Sequence, residues 1–317
     1  MPKIRAEVLS ARVRETLVEA ISSRSDVHVI EVRSSTDPLG SAERAAEASP
    51  FWERREGRPR DILEEGALQA TAGQTSVVLA RSSDLGYESY PVLRERICRA
   101  SLPVKVIALD AGIYESPPDG ELPQLEDVGM LRALPHLALF APADGPSTRK
   151  ALRASLEWGG PVYLRVPGGV VPDGPAWEFA PGHAGAVREG NDFTIAAYGR
   201  LVSMGLEVAD RLREVGVTTR VLDMASLKPF DEKGILRAAR DTGAILTLED
   251  HTPLTGLGAL VSSVTSENHP VPVRRLGIPD LFPPLPLGPS PWERLGLGND
   301  AILDEAWELL RVRGKVQ

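Results

Sequence analysis

The chain has 317 residues and a formal net charge of −8, from 36 Lys+Arg against 44 Asp+Glu; 42% of residues are hydrophobic and 25% charged. That is enough for two ordinary globular domains, and the acidic balance without a basic stripe argues against nucleic acid as the main partner. A single cysteine, Cys98, excludes an internal disulfide or thiolate cluster, and no apolar run approaches membrane-spanning length, so a soluble, cytoplasmic protein is expected.

An amphipathic helix is predicted over residues 10–23, with Val13, Leu17, Val18 and Ile21 on one stripe, followed by a strand over 27–32. Residues 34–60 show little period and read as a loop with a short helix. A carboxylate-rich stretch then opens a helix at Asp61 and closes at Gly73. Within it Glu64 and Glu65 point about 100° apart, so only one can face inward with Leu68, Thr71 and Ala72. Locally these carboxylates are also what a helix dipole favours near its start.

A buried strand follows over 76–80, a helix over 91–100, and a strand over 102–109 running into Asp110, Ala111 and Gly112. Pro117-Pro118-Asp119-Gly120 punctuates a long loop over 114–124, a length that is often functional. Helix 126–134, strand 137–142, helix 146–158 and strand 161–166 complete a first alternation. The Gly- and Pro-rich stretch 167–190 reads as a linker. A second alternation has strands at 194–199, 219–224, 244–249 and 271–277, helices at 202–215, 231–241 and 256–268, and a last helix near 300–313. Strands alternating with helices predict an α/β protein of two domains, each a mostly parallel sheet flanked by helices. The boundaries are drawn at 1–175, 176–190 for the linker, and 191–317. His136, His183 and His269 lack ligand spacing, so no metal site is expected on this chain. Gly256-Leu257-Gly258 is not a full dinucleotide fingerprint and suits a tight strand-to-helix turn.

Taken in order, several motifs resemble one family. Ile195-Ala196-Ala197-Tyr198-Gly199, Val221-Leu222-Asp223-Met224 with Leu227-Lys228-Pro229-Phe230-Asp231, and Glu249-Asp250-His251 with Gly256-Leu257-Gly258 are similar to the C-terminal domain of transketolase-type enzymes. Leu102-Pro103-Val104-Lys105-Val106, Asp119-Gly120, Glu126-Asp127, Ala141-Pro142-Ala143-Asp144 and Pro161-Val162-Tyr163-Leu164-Arg165 resemble their pyrimidine-binding domain. Deoxyxylulose phosphate synthases and the beta subunits of 2-oxo acid dehydrogenases share this layout.

The resemblance implies a thiamine diphosphate enzyme that moves a two-carbon ketol or acyl unit to an aldehyde acceptor. The family motif Gly-Ile-Ala-Glu-Gln followed by Ala-Ala-Gly, set with its last glycine on Gly73, places its glutamate on Glu64. That position implies a hydrogen bond from a buried carboxyl group to a ring nitrogen of the aminopyrimidine. Arg81 is the ungapped match to the residue that packs on this ring, with Tyr87 and Tyr90 as alternatives. Substrate contacts are implied at Asp110, Asp119, Gln124 and Arg165. The family's loop histidine is absent from Asp119-Gly120-Glu121-Leu122-Pro123-Gln124, and where deoxyxylulose phosphate synthases carry two phosphate-holding arginines this sequence has Asp110 and Gly168. An unphosphorylated or cationic acceptor is therefore expected.

The family's diphosphate signature Gly-Asp-Gly is absent from this sequence. The expectation is a split enzyme whose N-terminal partner subunit holds the diphosphate and Mg2+, in a heterotetramer of two pairs. Two alternatives stand beside it: a 2-oxo acid dehydrogenase beta subunit, and a non-catalytic partner with a degenerate site.

Overall fold

The computed structural model describes residues 6–32, 49–85, 87–114, 124–283 and 291–314. Two α/β units form, each around a mostly parallel sheet, as the alternation predicts. The first contains β1 (Ala6–Val8), α1 (Leu9–Ser23), β2 (Val27–Val32), β3 (Trp52–Arg55), α2 (Pro59–Thr71) and β4 (Thr75–Arg81). A continuous helical stretch over 87–98 (α3) leads to β5 (Val104–Ala111), α4 (Asp127–Arg132), β6 (Ala138–Phe140), α5 (Gly145–Glu157), β7 (Val162–Pro167) and β8 (Val170–Pro172).

The second unit begins with β9 (Gly185–Arg188), β10 (Phe193–Ala197), α6 (Leu201–Glu214), β11 (Thr219–Asp223) and β12 (Ser226–Lys228). It continues with α7 (Glu232–Thr242), β13 (Ile245–Leu248), α8 (Leu257–Asn268), β14 (Val273–Leu276), α9 (Pro291–Arg294) and α10 (Asn299–Val312). The sheet orders are β12-β6-β7-β5-β4-β2-β3 and β14-β13-β10-β11-β9. All pairings within these sheets are parallel except β12 with β6 and β9 with β11.

Four pairings depart from the sequence expectation. Trp52–Arg55, placed in a loop, is strand β3, hydrogen-bonded parallel to β2. The stretch read as a linker holds two strands: β8 pairs with β1, and β9 joins the second sheet. And β12, where no strand is predicted and which falls within the second domain as drawn, crosses to the edge of the first sheet, where Ser226 lies opposite Phe140.

The apolar core is continuous between the units. One cluster joins Val78, Val106 and Leu139 of the first sheet to Ala196, Leu222 and Leu257 of the second unit. The opposite face of the first sheet packs on α1 and α5 through Leu9, Val13, Leu17 and Leu152. Helix α5 begins with a complete capping box, Asp144 accepting from the Ser147 N–H and Ser147 Oγ accepting from the Asp144 N–H.

Helix α2 shows how burial sets rotation. Its inward residues are Ile62, Leu63, Gly66, Ala67 and Ala70. At Gly66 the helix lies so close to β4 that a Cβ would come within 2.9 Å of Val78 and 3.0 Å of Ser76. That contact fixes the inward face, and it overturns the expected one: Leu68 is 71% exposed. Neither Glu64 nor Glu65 points into the core.

Candidate functional site

In a parallel sheet, ligands gather where the strands end and the loops begin. At this carboxyl edge the structure brings two of the expected residues together. Arg81 ends β4 and is buried, and its Nε lies 4.0 Å from Oδ2 of Asp110, near the end of β5. Asp110 holds a left-handed backbone, φ +53°. For a residue other than glycine this conformation is uncommon and is most often met at functional positions or turns. Ser82 supports it, its Oγ donating to the Asp110 carbonyl at 3.2 Å.

Tyr87 and Gln124 meet beside this edge rather than over it. Both line a crevice of about 420 Å³ between the loop after β4, the residues leading into α4, and the segment 278–283. The Tyr87 ring is 65% exposed, and its hydroxyl bonds to Glu126; burial of that hydroxyl and the carboxylate charge push its pKa up. Tyr90 instead packs, partly buried, against the apolar core. Asp119 lies outside the described residues.

Glu64 stands apart from this group. It is the sixth residue of α2, about 7.5 Å along the axis from the helix start. Its side chain is 36% exposed and pairs with Arg96 of α3 at 3.3 Å. The expectation of a carboxyl group buried within this chain is therefore corrected: the inward face of α2 is taken by small and aliphatic residues that meet β4. Glu65 pairs with Arg55 at 3.3 Å. Asp61, in the first turn of α2, lies nearer the carboxyl edge and pairs with Arg58 at 3.1 Å.

Arg165 is also corrected. It is fully buried, and Nε donates to Asp127 at 3.0 Å while Nη1 donates to Asp250 at 2.8 Å. Nη2 donates to the Asp250 carbonyl, and the guanidinium lies 5.6 Å from the Tyr198 ring centroid. Burial alone would lower the Arg165 pKa, but the two carboxylates outweigh it and hold it well above the ordinary value. With its donors engaged and no exposed surface, Arg165 joins the two units instead of reaching a substrate. Sequence reasoning missed this because Asp127 and Asp250 lie 38 and 85 positions away.

The same seam holds His251, whose Nε2 accepts from the Gly129 N–H at 2.9 Å and whose Nδ1 bonds to the Thr252 carbonyl at 2.7 Å. Glu249 accepts from the N–H groups of Leu257 and Gly258 at 2.8 Å each, closing the tight strand-to-helix turn. Burial pushes Glu249 up to about 8 against the opposing pull of those two bonds. Cys98 is buried, and burial pushes its thiol up to about 11, which leaves little reactive thiolate. At Gly168, a Cβ would come within 2.5 Å of the Tyr114 ring, so this position has no room for a longer side chain beside that ring.

Comparison with known proteins gives the geometry its context. Residues 182–296 match the family model "Transketolase, C-terminal domain". The chain is 36% identical over 215 residues to a 6-deoxy-6-sulfo-D-fructose transketolase subunit of Clostridium sp., covering 67% of each chain. It is 39% identical over 180 residues to a subunit of the apulose-4-phosphate transketolase of Phocaeicola vulgatus, a match spanning 56% of this chain and 57% of that protein. A solved structure described as a split gene transketolase, inactive beta4 tetramer, overlays with TM-score 0.87 at 29% identity, covering 96% of this chain and 98% of that one. The transketolase of Campylobacter jejuni, 16% identical, shares the fold with TM-score 0.74, over 47% of its length. The chain belongs to the transketolase family.

Proposed function

We propose that this chain is the small subunit of a split, thiamine diphosphate-dependent transketolase-like enzyme. It would transfer a two-carbon ketol or acyl unit to an aldehyde acceptor. The observation that carries this reading is the near end-to-end overlay on the split gene transketolase, joined to 36% identity with a transketolase subunit. Thiamine diphosphate, when bound, supplies the electron sink for breaking and forming the carbon–carbon bond.

The residues fit one side of such a site. Glu64 and Leu68 share the outward face of α2 by their spacing of four, and Leu68 is an exposed apolar residue. A second subunit covering this face would bury the Glu64 carboxyl group and favour its protonated form, the form able to donate to a ring nitrogen. The partner subunit would hold the diphosphate and Mg2+, in an assembly of two pairs. Asp61 is the competing carboxylate, because it lies in the first turn of α2 at the carboxyl edge, where ligands gather.

The test is to assemble the chain with its partner subunit and measure thiamine diphosphate binding and donor cleavage in wild type, Glu64→Gln and Asp61→Asn. A loss of about 10²-fold or more in Glu64→Gln alone supports the assignment. Full activity in that variant with loss in Asp61→Asn moves the role to Asp61. Wild-type assemblies that neither bind the cofactor nor cleave a donor would refute the enzyme reading and favour a non-catalytic partner.

A further inference from the structure

We propose that the crevice beside the carboxyl ends of β4 and β5 receives a positively charged group, so that the acceptor carries an amine and not a phosphate. The inference rests on the reading above and deepens it, since it names the substrate class of that enzyme.

The crevice, about 420 Å³, is of a size suited to a small metabolite. Tyr87, Leu281 and Phe282 give it apolar and aromatic surface, Phe282 being 81% exposed. Its charged lining residues are Glu126 and Asp280, and no Lys, Arg or His lines it among the described residues. Gln124 and Thr252 add neutral polar groups suited to hydroxyls.

Aromatic surface beside carboxylates is the chemistry that holds an ammonium group. The ring quadrupole attracts the cation, and the carboxylates add their charge at close range. A phosphate placed there would meet two negative side chains and, among the described lining residues, no compensating cation. The sign continues along the sheet edge: the described residues 82–85, 87–90, 110–114 and 124–127 contain carboxylates but no Lys, Arg or His. Arg81, at the end of β4, faces Asp110, and Arg165, within β7, is sealed between Asp127 and Asp250. A cleft lined by one sign of charge concentrates ligands of the other.

The experiment is a calorimetric titration of the full chain, alone and assembled with its partner, at constant ionic strength. Three probes share one skeleton: 3-amino-1,2-propanediol, glycerol and glycerol 3-phosphate. The amine is expected to bind about tenfold or more tightly than glycerol, with no heat from the phosphate ester. Glu126→Gln and Asp280→Asn should each weaken the amine by about tenfold without lowering Tm. Equal binding of the three probes, tighter binding of the phosphate ester, or amine binding indifferent to both substitutions overturns the proposal. Donor cleavage without acceptor reports separately on the ketol-transfer reading. An assembly that cleaves donor yet prefers glyceraldehyde 3-phosphate to 3-aminopropanal refutes the amine inference alone.

Discussion

Removing the Arg165 side chain separates a latch from a substrate contact. In Arg165→Ala, Asp127 and Asp250, which are 0% and 4% exposed, would lose the cation that compensates them. Breaking one partner out of a buried ion pair costs about 3–5 kcal/mol, because the remaining charge is left without compensation. The real figure is moderated because the network is already incomplete: Asp127 Oδ1 and the Tyr198 hydroxyl have no hydrogen-bond partner among the described residues. At roughly 2–4 °C per kcal/mol for a chain of this order of size, Tm should fall by roughly 6–20 °C. Adding Asp127→Asn and Asp250→Asn to Arg165→Met should recover part of that loss by removing the stranded charges. Scanning calorimetry reads the stability, and steady-state kinetics on the assembled enzyme reads KM. A Tm within about 2 °C of wild type, combined with a raised KM, would refute the latch and return Arg165 to the substrate.

Two further outcomes follow from buried groups at the same seam and beneath the connecting segment. Asp223 is buried, accepts from Trp177 Nε1 at 2.9 Å, and is pushed up to about 8 chiefly by burial, with Asp144 adding to the rise. A carboxyl group raised on folding contributes stability that is fully present below its unfolded pKa, 3.8, and is lost as pH rises through about 8. Asp223→Asn should therefore match wild type near pH 4 and exceed it at pH 9 by at least about 1.4 kcal/mol, the worth of one pKa unit. Parallel urea melts at the two pH values would show it, and a constant difference would refute the assignment. Gly112 combines φ +77° with a close approach: a Cβ there would lie 1.7 Å from Asp250 Oδ2. Gly112→Ala should cost about 3 kcal/mol through backbone strain and displacement of Asp250, visible as a Tm drop comparable to that of Arg165→Ala. An unchanged Tm would sink that argument.

The parallel sheets were legible because their strands are buried on both faces and read as continuous apolar runs, as in Val77-Val78-Leu79-Ala80. Trp52-Glu53-Arg54-Arg55 was missed for the opposite reason. An edge strand carries polar residues, and its charges are satisfied by ion pairs such as Arg54 with Glu31 at 3.1 Å, which are far apart in the chain and meet only across neighbouring strands. The site was legible by family resemblance only in part. Arg81 and Asp110 do come together, since both end adjacent strands. Glu64 was assigned from a glycine anchor at Gly73, whereas the rotation of α2 is set by Gly66 against Val78, a contact no local pattern states. The role of Arg165 depends on two carboxylates distant in sequence. Phe282 and Asp280 sit in a Pro-rich tail whose approach to Tyr87 only the folded chain reveals.

The crossing of β12 into the first sheet has a consequence for how the chain is made. Residues 226–228 cover the outer edge of β6, and Lys228 Nζ donates to the carbonyls of Arg132 and Leu134 near the end of α4. While the polypeptide is still emerging from the ribosome, the N-terminal sheet therefore keeps one strand edge open until about 85 further residues have followed β6. An open edge is a template for pairing with another nascent chain. A fragment ending in the connecting segment near residue 190 would lack β12 and leave that edge of β6 uncovered.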